Sequence, residues 1–183
     1  MKQKALIILF LVAACAGPVS LSVAGAQQTN VEVEYKIKAA FLLNFAKFIS
    51  WPEESFAQDK QFFKICVLGD NPFGSALSAI KSRSVGERKI DLHYINDVQQ
   101  AESCHLLFIS ASEKNNLDAI HVTLRDRAVT TVSDIGGFAR SGGTIEFVTK
   151  KDKLAFKINL ARASKQGLRI NSSLLNLATE VIQ

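Results

Sequence analysis

Cys66 and Cys104 are the two residues of this chain best placed by type and spacing to do covalent chemistry. Each sits in an apolar run, FFKICVLG (62–69) and CHLLFIS (104–110), that reads as a buried strand. In the common doubly wound order 2-1-3-4 the first and third strands are neighbours, which brings the two sulfurs close. Geometry can still forbid the bond. A disulfide here closes a loop of about 38 residues, a stabilisation of roughly 4 kcal/mol in the chain-entropy account. Two buried free thiols are the alternative. There is no C-x-x-C motif. His93, His105 and His121 fall at unrelated points, with no HExxH and no close His/carboxylate pair linking them, so no metal or cofactor is expected. No GxSxG surrounds a serine. A non-enzymatic protein is therefore expected, an unrecognised hydrolase being the least supported class.

A second group of polar residues closes the predicted strands. GDNPFG (69–74), IND (95–97), SASEKN (110–115) and SDIGG (133–137) would all face one end of a parallel sheet. Asp70, Asn71, Ser110 and Ser133 are thus the candidate lining of a small-molecule crevice. The plainer reading is turn chemistry, which favours Gly, Asn, Asp and Ser on its own account. GDNPFG is neither GxGxxG nor a Walker loop.

The elements that must position these groups follow from periodicity. QQTNVEVE (27–34) reads as a loose polar lead-in. From Tyr35 the pattern is helical: Phe41, Leu42, Phe45, Phe48 and Ile49 form one stripe, and Pro52 should end the helix near Trp51. Most of that stripe is expected in the core, while Phe45, Phe48 and Trp51 are candidate anchors for a partner. A strand at 62–69 precedes Asn71 as N-cap and Pro72 as first helical residue, with SALSAIKS continuing the helix. Strands follow at 89–95, 104–110 and 128–134, with a helix at 117–126. TIEFVTKKDKLAFKINL (144–160) alternates around a polar turn, as a β-hairpin does. The tail reads as a short helix stopped near Gly167 and a last helix from about Ser172. The expected fold is α/β: a mostly parallel, Rossmann-like sheet flanked by helices, with an added C-terminal β-hairpin and terminal helix. Residues 27–183 form a single domain whose first helix spans about 35–51.

Residues 1–26 stand apart. MKQK is a basic start, ALIILFLVAA an apolar core, and Ala24 and Ala26 suit an A-x-A cleavage before Gln27. A signal peptide and export are expected. VAAC (12–15) also fits a lipobox, which makes lipidation at Cys15 the minority alternative. Cleavage removes Lys2 and Lys4 and no acid, taking the net charge from +5 to +3. So mild a positive charge, without a dense Lys/Arg run, does not point to nucleic acid.

KAAFLLNFAKFISWPEESF (38–56), GDNPFG, CHLLFIS, SGGTIEF (141–147) and FKINLARASKQGLRINSSLLNLA (156–178) together resemble the YfiR/HmsC-like family of bacterial periplasmic proteins. The resemblance runs in order from about Val33 to Ile182. It implies a periplasmic repressor that binds the periplasmic sensor region of an inner-membrane diguanylate cyclase, lowering cyclic di-GMP signalling and biofilm formation. It implies a second partner, an OmpA-like outer-membrane lipoprotein that sequesters the repressor. A homodimer is also compatible. Cys66 and Cys104 match one family cysteine pair, whereas GFARSGGTIEF (137–147) lacks the cysteine that a second bridge in some members requires. The alternative function is a periplasmic small-molecule binding module using the strand-end crevice.

Overall fold

The structure, a computed structural model, describes residues 24–183. The proposed cleavage motif lies at its margin, and the lipobox lies outside the described residues. α1 (Ala24–Phe48) runs directly into the two-residue β1 (Ile49–Ser50). The helix begins earlier than Tyr35, so the polar lead-in is helical. Charge spacing explains this: Glu32 pairs with Lys36 and Glu34 with Lys38, each at i,i+4. The helix also ends before Trp51, because Ile49 and Ser50 leave it to pair with a later strand.

A turn at 53–56 leads to β2 (Phe62–Leu68), the short α2 (Ser78–Lys81), β3 (Ser84–Val85) and β4 (Arg88–Ile95). Asn71 Oδ1 does accept the Phe73 N–H, but the segment after it is a run of turns until Ser78. After a 3-10 turn at 98–103 come β5 (Leu106–Ile109), α3 (Leu117–Thr123) and β6 (Thr130–Ser133). The predicted hairpin is β7 (Ile145–Lys150) and β8 (Lys153–Asn159). Its two central residues, Lys151 and Asp152, both have positive φ, as a two-residue hairpin turn demands. The chain finishes with α4 (Leu160–Lys165), β9 (Arg169–Ile170), α5 (Ser172–Leu177) and β10 (Glu180–Ile182).

β1 and β9 form a small antiparallel ribbon, and the other strands form one sheet ordered β10-β8-β7-β6-β5-β2-β4-β3. β4, β2, β5, β6 and β7 are mutually parallel, in the doubly wound order expected for the first four strands. β8 adds antiparallel to β7. The end of the chain departs from expectation: the last helix is only six residues long and Glu180–Ile182 becomes an edge strand parallel to β8. Ala178 adopts extended backbone geometry, which stops the helix before a full amphipathic period forms.

Alternation divides the sheet into two cores. Phe63, Ile65 and Val67 of β2 face α1, together with Phe108, Phe147 and Phe156. Cys66 and Leu68 face the other way, with Leu107, Ile109, Ile120 and Phe138. SGGTIEF gives Ile145 and Phe147 to the first core, while its glycines lie against His121 and Phe138 on the other side. Gly142 has φ +117°, and a Cβ at Gly143 would collide with the Phe138 ring.

Candidate functional site

α1 presents two different sides. Inward, Leu42 and Phe45 are fully buried, and the Phe45 ring lies 5.6 Å from Phe147 and 5.1 Å from Phe156. Trp51, past the helix end, sits edge-on to Phe63 at 4.9 Å, and its indole N–H donates to the His105 carbonyl at 2.9 Å. Phe45 and Trp51 are therefore core residues, which corrects the expectation that they offer a surface to a partner. The stripe that carries them faces the sheet. Phe48 alone of the three is exposed, at 41%. Val33 and Ile37 are exposed too. At 100° per residue, Val33, Ile37 and Phe48 fall within roughly 60° of one another on the outer side of α1.

The inward side also carries a charge that sequence reasoning overlooked. Lys38 is 3% exposed. Its Nζ lies 2.6 Å from both Glu34 Oε1 and Asp134 Oδ2, and 4.1 Å above the Tyr35 ring. The Tyr35 hydroxyl donates to the same Asp134 oxygen at 2.8 Å. Burial, reinforced by the Asp134 carboxylate, pushes the Tyr35 phenol well above its ordinary pKa. These groups fasten the first half of α1 to the end of β6. The available signal was an extension of the apolar stripe backwards from Leu42 to Lys38, with Glu34 four residues earlier. A cleft of about 580 Å³ opens beside this clamp, with Phe147 and Leu154 among its walls.

The four crevice candidates do not converge on an open site. Ser133 is fully buried, donates to the Ile109 carbonyl and accepts the Ile135 N–H. Ser110 is 4% exposed and precedes the turn at 111–116. That turn packs over the end of β2: Ser112 Oγ accepts the Asp70 N–H, and a Cβ at Gly69 would strike it. Asn71 is exposed but its side-chain oxygen is taken by Phe73. The crevice at the point where strand order reverses is thus filled by its own loop. The open cleft lies one strand further along, at Asp134.

At the opposite end of the sheet, Cys66 and Cys104 are joined by a disulfide with Cα atoms 6.0 Å apart. His105, next in sequence, is stacked on Phe56 at 4.4 Å and Phe63 at 5.0 Å. Its Nδ1 accepts the Lys64 N–H at 2.9 Å, which leaves Nε2–H to donate to the Ser55 carbonyl at 3.0 Å. Burial lowers its pKa to about 4, Lys64 and Arg88 adding to the shift and the Ser55 bond opposing it. This neutral ring latches the WPEESF turn (51–56) onto the sheet. A cavity of about 650 Å³ lies beside it, reaching Cys104.

Among the described residues, no group of three or more His, Cys, Asp or Glu stands where it could hold a metal ion. No helix among them is long and apolar enough to cross a membrane. Comparison with known proteins supplies what the geometry leaves open. A model of the YfiR/HmsC-like family matches residues 35–179. The chain belongs to the YfiR/HmsC-like family. The match spans α1 from Tyr35, both cores, the disulfide and the hairpin.

Two solved structures are similar in outline to this family member. One is an ABC domain in complex with L-Trp from Streptococcus pneumonia, 11% identical, with a TM-score of 0.49 over 71% of this chain. The other is a conserved domain protein from Vibrio cholerae O1 biovar El Tor, 13% identical, with a TM-score of 0.48 over 70% of this chain. In each case the matched region spans 58% of the other chain, less than two thirds of its length.

Proposed function

We propose that this protein is a periplasmic regulatory binding protein that represses an inner-membrane diguanylate cyclase by contacting its periplasmic sensor region. The observation that carries the reading is the family match over residues 35–179. The structure adds a physical means. Exposed Val33, Ile37 and Phe48 give the outer side of α1 an apolar stripe. Phe45 and Trp51 hold that helix in place from beneath. Repression then requires that this surface bind the inactive sensor conformation more tightly than the active one, since only differential affinity shifts an equilibrium. An OmpA-like outer-membrane lipoprotein that sequesters the repressor would compete for it, and a homodimer would bury part of the same chain's surface.

Deleting the gene in cells that carry the cognate cyclase should raise cyclic di-GMP and biofilm, and re-expression should reverse both. An unchanged cyclic di-GMP level in the deletion strain counts against the proposal. The cleft beside Tyr35, Lys38 and Asp134 favours one further reading, a small-molecule binding module. A thermal-shift screen separates the two, because a ligand for the native state raises Tm by mass action.

A further inference from the structure

His105 has both ring nitrogens committed inside the fold. Nδ1 accepts the Lys64 N–H at 2.9 Å, and Nε2–H donates to the Ser55 carbonyl at 3.0 Å. The residue is 3% exposed, and its ring lies stacked against Phe56 and Phe63. An imidazolium carries a proton on each nitrogen and accepts from no donor. A second proton, on Nδ1, would meet the Lys64 N–H head-on, two donors 2.9 Å apart with no acceptor between them. The charged ring therefore cannot keep its seat.

That ring also holds residues 53–60 down. The backbone bonds of the segment are local: the N–H groups of Ser55, Ala57 and Asp59 donate to the carbonyls of Pro52, Glu54 and Phe56. It is tied to the sheet by the Ser55–His105 bond and by Phe56, which lies against His105 and 3.7 Å from the Arg88 guanidinium. A 3.8 Å pair joins Arg88 to Glu53, whose side chain is 89% exposed and adds little. The flanks are bolted differently. The Trp51 indole bonds the His105 backbone carbonyl, which need not move with the ring, and the Gln61 carbonyl accepts the Lys89 N–H at 2.9 Å.

We propose that protonation of His105 releases residues 53–60 from the folded sheet, making the segment an acid-operated flap between Trp51 and Gln61. The step is proton uptake with no covalent change. The ring turns out into water, its bonds to Lys64 and Ser55 break, and Phe56 loses the surface it stacks on. Within the fold, Lys64 on β2 and Arg88 on β4 oppose a charge on the ring, whereas Asp59 of the flap favours it. Glu54, Glu102, Asp126 and Arg127 line the cavity beside it, Arg127 being paired with Glu102 at 2.8 Å. Burial keeps the seated ring neutral down to about pH 4, while a ring in water takes up its proton near 6.5. Across that window the open form binds more protons, so opening should rise about tenfold for each unit that the pH falls. A lone 3-10 turn does not persist off its support, so released amides exchange freely. Release concerns the isolated protein and does not depend on the regulatory proposal.

The test is amide hydrogen exchange of the mature wild-type protein between about pH 7.5 and 4.5, with rates corrected for the intrinsic pH dependence of exchange. Opening at Ser55, Ala57, Asp59 and Lys64 should rise on the order of 100-fold across that range, while β5 and β6 keep their protection. His105→Gln can make both hydrogen bonds through its amide but cannot take up the proton, so its flap should show no such rise. Protection at 53–60 that does not change with pH overturns the proposal. So does the same rise in a folded His105→Gln variant, or β5 and β6 opening in step with the flap. A second measurement needs no variant: the His105 ring, followed by NMR in the wild-type protein, should gain its proton together with the loss of protection at Lys64. A protonated His105 beside a still-protected Lys64 amide would overturn it as well.

Discussion

The inner and outer sides of α1 both carry apolar residues, but only the inner ones are packed, the outer ones standing among exposed Lys36, Asn44 and Lys47. Leu42 and Phe45 are fully buried against the phenylalanines of β7 and β8, whereas Val33, Ile37 and Phe48 face outward. Stability is invested on the inner side, where every apolar group has a neighbour. The exposed side chains of the outer side contribute little to folding. An apolar residue on a helix is thus not informative alone; which side it takes relative to the sheet decides its role.

The largest effect that sharpens this contrast is Phe45→Ala. Removing a fully buried aromatic ring should cost about 3–5 kcal/mol, read as a fall in the denaturation midpoint. A loss under about 1 kcal/mol would mean that the inner side is not packed as described. Next comes Asp134→Ala, which strips both Tyr35 and the buried Lys38 of their shared acceptor. A loss of about 1–3 kcal/mol is expected, accompanied by faster amide exchange in the first half of α1.

A smaller, pH-dependent effect tests the latch below the helix end. His105 stays neutral in the folded protein down to about pH 4, while the unfolded chain takes up the proton near the ordinary value of 6.5. Between those values the unfolded state binds more protons, so stability falls as pH drops through the window. His121 is lowered in the same direction, by burial first and Arg162 second. His105→Gln should therefore flatten the slope between about pH 6.5 and 4 without abolishing it. An unchanged slope would remove His105 from the account.

The smallest stability effect belongs to the outer side. Phe48→Ala should change folding stability by no more than about 0.5 kcal/mol, as measured by chemical denaturation. A larger loss would make Phe48 a core residue.

Much of the fold was legible because its signals were periodic. The stripe through Leu42 and Phe45, the all-apolar 104–110 strand and the alternating hairpin each repeat over enough residues to fix an element and its inward side. Elements too short to show a period were not legible: β1, β9 and β10 are two or three residues long and exist only through their pairing partners. The site was legible in part. Strand order brought the two cysteines close but left free thiols as an alternative, and periodicity could not tell that Trp51 folds inward onto His105, since that depends on a hydrogen bond across 54 residues. Lys38 was hidden for a related reason: a lysine reads as solvent-facing until Asp134, 96 residues away, is seen beside it. The strand-end polar residues misled because serines that satisfy buried backbone groups look the same in sequence as serines that line a crevice.

The central claim, that the outer side of α1 represses the cyclase, is tested most directly by cyclic di-GMP levels in cells producing an Ile37→Asp, Phe48→Asp variant. The account predicts levels matching the deletion strain, with the variant present at wild-type abundance and purified with a near-wild-type Tm. Full repression by that folded variant would contradict it.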